Sequence, residues 1–435
     1  MAENTTEVKV NQAVLVGLNS PALDREETAT ERSMEELAAL LETAGGACVG
    51  TVLQNKDTPD PRTFIGEGKV AEVRELAAAQ GADMVIFDNA LSPSQQRVLS
   101  EELGVSVMDR SALILDIFAQ RARTKEGRLQ VELAQYKYLL PRLTGMWGHL
   151  VRQTASGGKS PIGTRGPGET QLETDRRHIR RKIAKLTEDL QEVRRIRAVQ
   201  RDRREKNEVP VVAIVGYTNA GKSTLLNALT DAGIPARNRL FDTLDTTTRT
   251  LEISDTCTVL ISDTVGFIRK LPHHLVEAFK ATLEELSYAD LILHVIDASN
   301  PEWREQAEVV EGLITQLGAQ TTPRIEVFNK SDIYVGEIRP HGEDIVSISA
   351  KTGEGLDKLL EKIRKRLDTG VHRVTLALPY DKGGILDTLY REAKVESVEY
   401  GETIQVVAVC AEKTIGQIRA YVVDGWQPPK AFWED

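Results

Sequence analysis

The run Gly216-Tyr-Thr-Asn-Ala-Gly221-Lys222-Ser223 constrains this chain more than any other eight residues in it. Residues 211–215, Val-Val-Ala-Ile-Val, read as an apolar strand leading into it, and residues 224–230 read as a helix leaving it. Strand, glycine-bounded loop and helix in that order form the P-loop pattern, which implies an α/β domain with a doubly wound, mostly parallel sheet. From residue frequencies alone the bare pattern arises in about one or two such chains in a hundred. Gly216 and Gly221 let the N–H groups of Tyr217, Thr218, Asn219 and Ala220 converge on a β-phosphate, and the helix N-terminus at Ser223 and Thr224 adds partial positive charge. Lys222 is expected to bridge β- and γ-phosphate oxygens, and Ser223 to ligate Mg²⁺.

Three further elements follow in order, each after a strand. Asp263-Thr264-Val265-Gly266 follows residues 258–261; Asp263 is expected to hold Mg²⁺ and the Gly266 N–H to meet the γ-phosphate. Asn329-Lys330-Ser331-Asp332 follows residues 325–328 and decides the base. A carboxylate at Asp332 accepts from guanine N1–H and the 2-amino group; adenine offers neither, and an unsatisfied buried partner can be worth ~10⁴–10⁵ in discrimination. Ser349-Ala350-Lys351 follows residues 345–348, and the Ala350 N–H is expected to read guanine O6. Together these imply a GTPase with Mg²⁺, taking GTP to GDP and phosphate.

Switch I is less determined. Phe241-Asp242-Thr243-Leu244-Asp245 and the threonines at 246, 247 and 248 offer four hydroxyls to complete the metal shell. After Gly266 stands Phe267, where many small GTPases carry a water-orienting Gln. No arginine finger is evident, so intrinsic hydrolysis is expected to be slow and completed by another group or a partner. His273 and His274 could approach the phosphates, although packed or exposed histidines are the commoner outcome.

The 435 residues suggest two to four domains. Residues 1–112 alternate strand and helix patterns: strands at 13–17, 48–53, 84–87 and 105–108, helices at 31–43, 69–80 and 92–103, the last capped by Ser92 or Ser94. In residues 113–206, Leu129, Leu133, Tyr136 and Leu140 share one helical stripe, and Ile179, Ile183, Leu186, Leu190, Val193 and Ile196 form another. A glycine-rich tip at about 153–169 separates the two, so a long antiparallel hairpin is expected, its second helix, 170–206, ~55 Å long. A dimerising coiled coil has the same periodicity. The GTPase domain spans 207–367, and a small α+β domain spans 373–435: strands at 374–378, 395–400 and 403–409, a helix at 384–393, and a less clear stretch at 415–421.

Charge is uneven. Residues 120–183 hold 14 Lys/Arg against 5 Asp/Glu, a local +9, which leaves −19 for the rest of a chain of net −10. That suggests a polyanion met by the basic segment, though a solvated helix face carries similar charge. No stretch approaches the ~18 apolar residues of a membrane span, and no basic-then-apolar leader opens the chain. Cys48, Cys257 and Cys410 lie far apart, which disfavours disulfide and zinc frameworks. A cytoplasmic location is expected.

Residues 164–177, Thr-Arg-Gly-Pro-Gly-Glu-Thr-Gln-Leu-Glu-Thr-Asp-Arg-Arg, resemble the signature of the HflX GTPases, in the broad class of Obg and Era. Residues 113–123, 241–245 and 266–279 resemble that family as well. The resemblance covers nearly the whole chain. It implies nucleotide contacts by Phe241, Asp242, Thr243, Leu244 and Asp245, with Thr243 the metal ligand; the catalytic set is then Lys222, Thr243 and Gly266. It also implies association with the ribosome, chiefly the large subunit and its RNA, and splitting of stalled or idle ribosomes under stress. Lys159-Ser-Pro161 departs from the usual tip of the family. A monomer is expected. A GTP-gated RNA-modification factor and a protein-only signalling GTPase are the alternatives; the first lacks a second chemical motif and the second sits poorly with the +9 segment. Gly66-Glu-Gly68 is too short a glycine pattern to argue for ATP binding by the N-terminal domain.

Overall fold

The computed structural model describes residues 10–24, 27–143, 167–205, 209–230, 240–241, 247–254, 257–271, 284–334, 336, 340–367 and 371–423. The N-terminal unit is a four-stranded parallel sheet, order β2-β1-β3-β4, from β1 (Gln12–Asn19), β2 (Ala47–Asn55), β3 (Met84–Phe87) and β4 (Ser106–Asp109). Helices α1 (Glu31–Thr43), α2 (Glu67–Gln80) and α3 (Pro93–Leu103) connect the strands. Local chemistry sets their ends. The Thr30 hydroxyl accepts the Ser33 N–H while Ser33 Oγ accepts the Thr30 N–H, a closed capping box. Ser92, not Ser94, caps α3 in the same way with Gln95, and Pro93 occupies the first turn, where an N–H is not needed.

A helix that periodicity did not show follows at once: α4 (Arg110–Arg121), capped by Asp109 Oδ1 accepting the Ala112 N–H (2.9 Å). Leu113, Ile114, Leu115, Ile117 and Phe118 are all buried, while Asp116, Ala119 and Gln120 are exposed. Helix α5 (Lys125–Leu139) then packs on α6 (Pro167–Glu205), where Leu133, Leu186 and Leu190 form the seam with Leu129, Tyr136 and Ile183. Two details differ from the sequence reading. Helix α6 begins at Pro167 instead of 170, since proline suits a first helical turn. Ile196 is 50% exposed, so the stripe outruns its partner helix. The rest of the expected tip, 153–166, lies outside the described residues.

The second sheet has order β10-β9-β8-β5-β7-β6, from β5 (Val211–Gly216), β6 (Thr247–Ser254), β7 (Cys257–Asp263), β8 (Leu291–Asp297), β9 (Arg324–Asn329) and β10 (Ile345–Ser347). All pairs are parallel except β6 with β7. Helix α7 (Lys222–Thr230) leaves the loop after β5; α8 (Trp303–Gln316) and α9 (Leu356–Leu367) flank the sheet. The last sheet is antiparallel, order β11-β13-β12, from β11 (Val371–Leu378), β12 (Lys394–Tyr400) and β13 (Ile404–Ala411), with α10 (Gly383–Glu392) between β11 and β12. The stretch that read unclearly at 415–421 is α11 (Glu412–Ile418) followed by one 3₁₀ turn.

The N-terminal unit is not a separate bead. Leu113, Ile117 and Phe118 share one buried cluster with Tyr217, Phe241, Phe267 and Ile268. Phe118 and Phe241 meet edge to face, centroids 4.7 Å apart. A fully buried side chain of this size contributes roughly 1.5–3 kcal/mol, so this contact is core, not a brushing of surfaces.

Candidate functional site

The four sequence elements converge at the carboxyl ends of β5, β7, β9 and β10, where open α/β sheets place ligands. Strand β5 lies between β7 and β8, pairing Ile214 with Asp263 and Val215 with His294. Gly216 is needed for close packing: a Cβ there would stand 2.3 Å from the Val295 carbonyl oxygen. Gly221 has φ +94°, and Asn219 also takes a left-handed φ of +63°. These turns fold the loop back over the start of α7.

Lys222 lies across the loop it ends. Its Nζ donates to the carbonyls of Gly216 (3.1 Å) and Tyr217 (2.8 Å). Burial pulls its pKa down to about 8, with Asp263 opposing the shift. Ser223 Oγ donates to Asp263 Oδ2 (2.7 Å), so the two expected metal ligands are adjacent. Thr264 is turned inward, its hydroxyl donating to the Ile214 carbonyl (2.7 Å). Gly266 lies against the P-loop, where a Cβ would come within 3.0 Å of Lys222 Nζ and 2.9 Å of Thr218 Cγ2. His294, under the loop, is buried, and burial together with the nearby Arg324 and Lys222 charges lowers its pKa to about 4, so it is neutral.

The end expected to read the base is cross-braced. Asn329 Nδ2 donates to the Ala220 carbonyl (2.8 Å), and its Oδ1 accepts the Ala350 N–H (2.9 Å). That N–H, expected to read guanine O6, must therefore be shared with Asn329. Ser349 Oγ donates to Asp332 Oδ1 (2.8 Å) and aims the carboxylate. Lys330 adopts φ +62°, and its ammonium pairs with Asp297 at 2.7 Å.

The segment after Asp263 is hydrogen-bonded to the P-loop. Phe267 N–H donates to Gly216 O (3.1 Å), and Thr218 N–H donates to Phe267 O (2.7 Å). The Phe267 ring is 2% exposed and packs in the core. Phe241 is likewise buried against Phe118, with its ring in that same core. Asp242, Thr243, Leu244, Asp245, His273 and His274 lie outside the described residues.

The sequence reading did not find the partners that the N-terminal unit brings. Arg110 and Lys270 both pair with Asp88; Arg110 also pairs with Glu36, and Glu36 accepts from the Tyr217 hydroxyl. A cavity of about 460 Å³ opens between the units, lined among others by Arg32, Glu36, Tyr217, Asn219, Arg269 and Glu302. Nothing in the sequence marks such a cluster, because its members lie far apart along the chain.

Family models match most of the chain. A family model described as GTP-binding GTPase N-terminal matches residues 31–119, one described as GTP-binding GTPase Middle Region matches 121–204, one described as 50S ribosome-binding GTPase matches 211–330, and the HflX C-terminal domain matches 337–413. A GTPase HflX from Caldanaerobacter subterraneus subsp. tengcongensis is 49% identical over 404 residues, covering 93% of this chain and 91% of the relative. GTPase HflX from Escherichia coli is 44% identical over 369 residues, covering 83% of this chain and 85% of its own. A GTP-binding protein from Sulfolobus solfataricus, solved with GDP, aligns with 82% of this chain and 99% of its own at 24% identity and a TM-score of 0.43.

Proposed function

Since this chain belongs to the HflX family of GTPases, we propose that it uses GTP, with Mg²⁺, to dock on the large ribosomal subunit and separate stalled or idle ribosomes under stress. The observation that carries the reading is the joining of a nucleotide cleft to a long basic hairpin: α6 runs 39 residues, and residues 120–183 hold the local excess of +9. A rod of that length reaches about 58 Å, far enough to carry its tip into RNA distant from the cleft. The match of residues 211–330 to a model described as 50S ribosome-binding GTPase supports the same partner.

In this reading Gly216 to Thr224 cradle the phosphates, and Lys222 leaves its two carbonyl partners for β- and γ-phosphate oxygens. A hydroxyl and a carboxylate, Ser223 and Asp263, stand at hydrogen-bonding distance beside the phosphate loop, a hard-oxygen pair that suits Mg²⁺. Thr243 joins them from switch I. The ion, when bound, neutralises charge on the phosphates. Asp332 reads the base, held by Ser349. Gly266 supplies its N–H to the γ-phosphate, and the buried Phe267 contributes no polar group, so turnover by the free protein is slow. The four-part division at 1–112, 113–206, 207–367 and 373–435 belongs to this proposal, as do a monomeric state and a cytoplasmic location. Among the described residues no helix is long and apolar enough to cross a membrane.

Gradient sedimentation with large subunits, in GTP-analogue, GDP and nucleotide-free conditions, tests the docking. Co-migration should depend on nucleotide and weaken steeply with salt, as released counterions require. Large subunits should also raise the single-turnover rate. Shortening 157–168 to a minimal turn should spare GTP binding and abolish splitting. Equal splitting by the shortened protein would reduce the tip to a connector.

A further inference from the structure

One buried hydroxyl joins the N-terminal unit to both the P-loop and the segment after Gly266. Tyr217 Oη donates to Glu36 Oε1 (2.5 Å) and accepts the Arg269 N–H (2.8 Å). The carbonyl of the same residue accepts from Lys222 Nζ (2.8 Å). Tyr217 is 5% exposed, and its hydroxyl is engaged on both sides. Glu36 is fixed from behind by Arg110, which is 2% exposed and also donates to Asp88 Oδ1 (2.6 Å) and to the Ser33 carbonyl (3.3 Å). Burial and the neighbouring Glu36 charge push the Tyr217 hydroxyl well above its ordinary pKa, so it remains a proton donor.

Hydrolysis gives this arrangement a task. In a site whose residue after Gly266 is a buried phenylalanine, no side chain at that position orients the attacking water. Among the described residues, the backbone of residues 266–269 lies beside the P-loop, and the usefulness of its polar groups depends on how closely they are held. Two bonds fix the first part of this segment: Phe267 N–H to Gly216 O, and Thr218 N–H to Phe267 O. The third, from the Arg269 N–H to Tyr217 Oη, fixes its end. That third anchor points where it does because Glu36 takes the hydroxyl proton and leaves the oxygen lone pairs to Arg269.

We infer that Glu36 is a positioning residue for GTP hydrolysis, acting through the Tyr217 hydroxyl on the backbone of residues 266–269. The inference rests on the P-loop assignment proposed above and adds to it a carboxylate 181 positions upstream of Tyr217.

Single-turnover hydrolysis and GTP-analogue affinity are measured on the full chain for Tyr217→Phe, Glu36→Ala, Glu36→Gln and the Tyr217→Phe/Glu36→Ala pair. Tyr217→Phe and Glu36→Ala should each slow hydrolysis about tenfold while affinity stays within about threefold, the mark of an interaction that matters in the transition state. The double variant should be no slower than the slower single one, because both remove the same link. Glu36→Gln keeps an acceptor oxygen for the hydroxyl and should retain at least about half the rate. Unchanged rates, multiplicative losses in the double variant, or a Glu36→Gln as slow as Glu36→Ala would each overturn the inference. Tyr217→Phe leaves Arg110 with both of its carboxylates, so it decides the matter even where Glu36→Ala lowers stability. A loss of affinity instead of rate assigns the hydroxyl to binding and also overturns the inference. Failure of the unaltered protein to bind GTP would strike the P-loop assignment instead.

Discussion

Gly221→Ala should cripple nucleotide binding through a residue at the other end of the site. Gly221 holds φ +94°, and a Cβ added there would stand 2.2 Å from Asn329 Nδ2. Asn329 cannot retreat. It is 2% exposed, and its amide braces Ala220 O on one side and Ala350 N–H on the other, at 2.8 and 2.9 Å. The left-handed backbone costs an alanine roughly 1–2 kcal/mol. Displacing the amide forfeits two buried hydrogen bonds at about 1 kcal/mol each. The sum, about 3–4 kcal/mol, corresponds to a loss of roughly 10²–10³ in affinity at about 1.4 kcal/mol per decade. The free loop can relax away from the clash, so the cost falls on binding, which has to restore the loop. Titration with a fluorescent GTP analogue, with GDP as competitor, reads both nucleotides, and both should weaken together. Adding Asn329→Ala removes the clashing group, so the double variant should lose less than the sum of the two single losses. Affinity within threefold of the unaltered protein, or fully additive losses, would refute the reasoning.

Two further outcomes follow from the same site. Asp332→Asn should lose GTP and gain xanthosine triphosphate, whose 2-oxo group suits an amide donor, and competition binding would show full GTP affinity if Asp332 does not read the base. Lys222 gives a pH dependence whose sign is definite: its pKa in the empty protein is held down to about 8, whereas bound phosphates favour the charged form. Below pH 8 the lysine is charged in both states; above it, binding must take up a proton, so GTP affinity should fall by up to about tenfold per pH unit. Calorimetry at pH 9 in buffers of differing ionisation heat reads that uptake, and a flat affinity up to pH 9.5 would contradict it.

Elements with a polar and an apolar side were legible from the chain alone. Helix α1 occupies the residues expected of it, Glu31–Thr43. The P-loop and the run Asn329–Asp332 stood out in the sequence for a related reason. Their chemistry is compressed into a few consecutive residues, so spacing carries it directly. Helix α4 also has an exposed side, at Asp116 and Gln120, but seven of its twelve residues are apolar, which leaves little contrast from which to read a period. The tertiary structure alone decided the rest. That Phe267 is core, that Phe241 meets Phe118, and that Lys222 titrates low are facts of burial, which depends on what another part of the chain covers. Glu36 reads in the sequence as one more polar residue on an amphipathic helix. Its bond to Tyr217 exists because helices α1 and α4 pack against the P-loop and bring together groups 181 residues apart. Periodicity states which side of an element avoids water; it does not state what that side will meet.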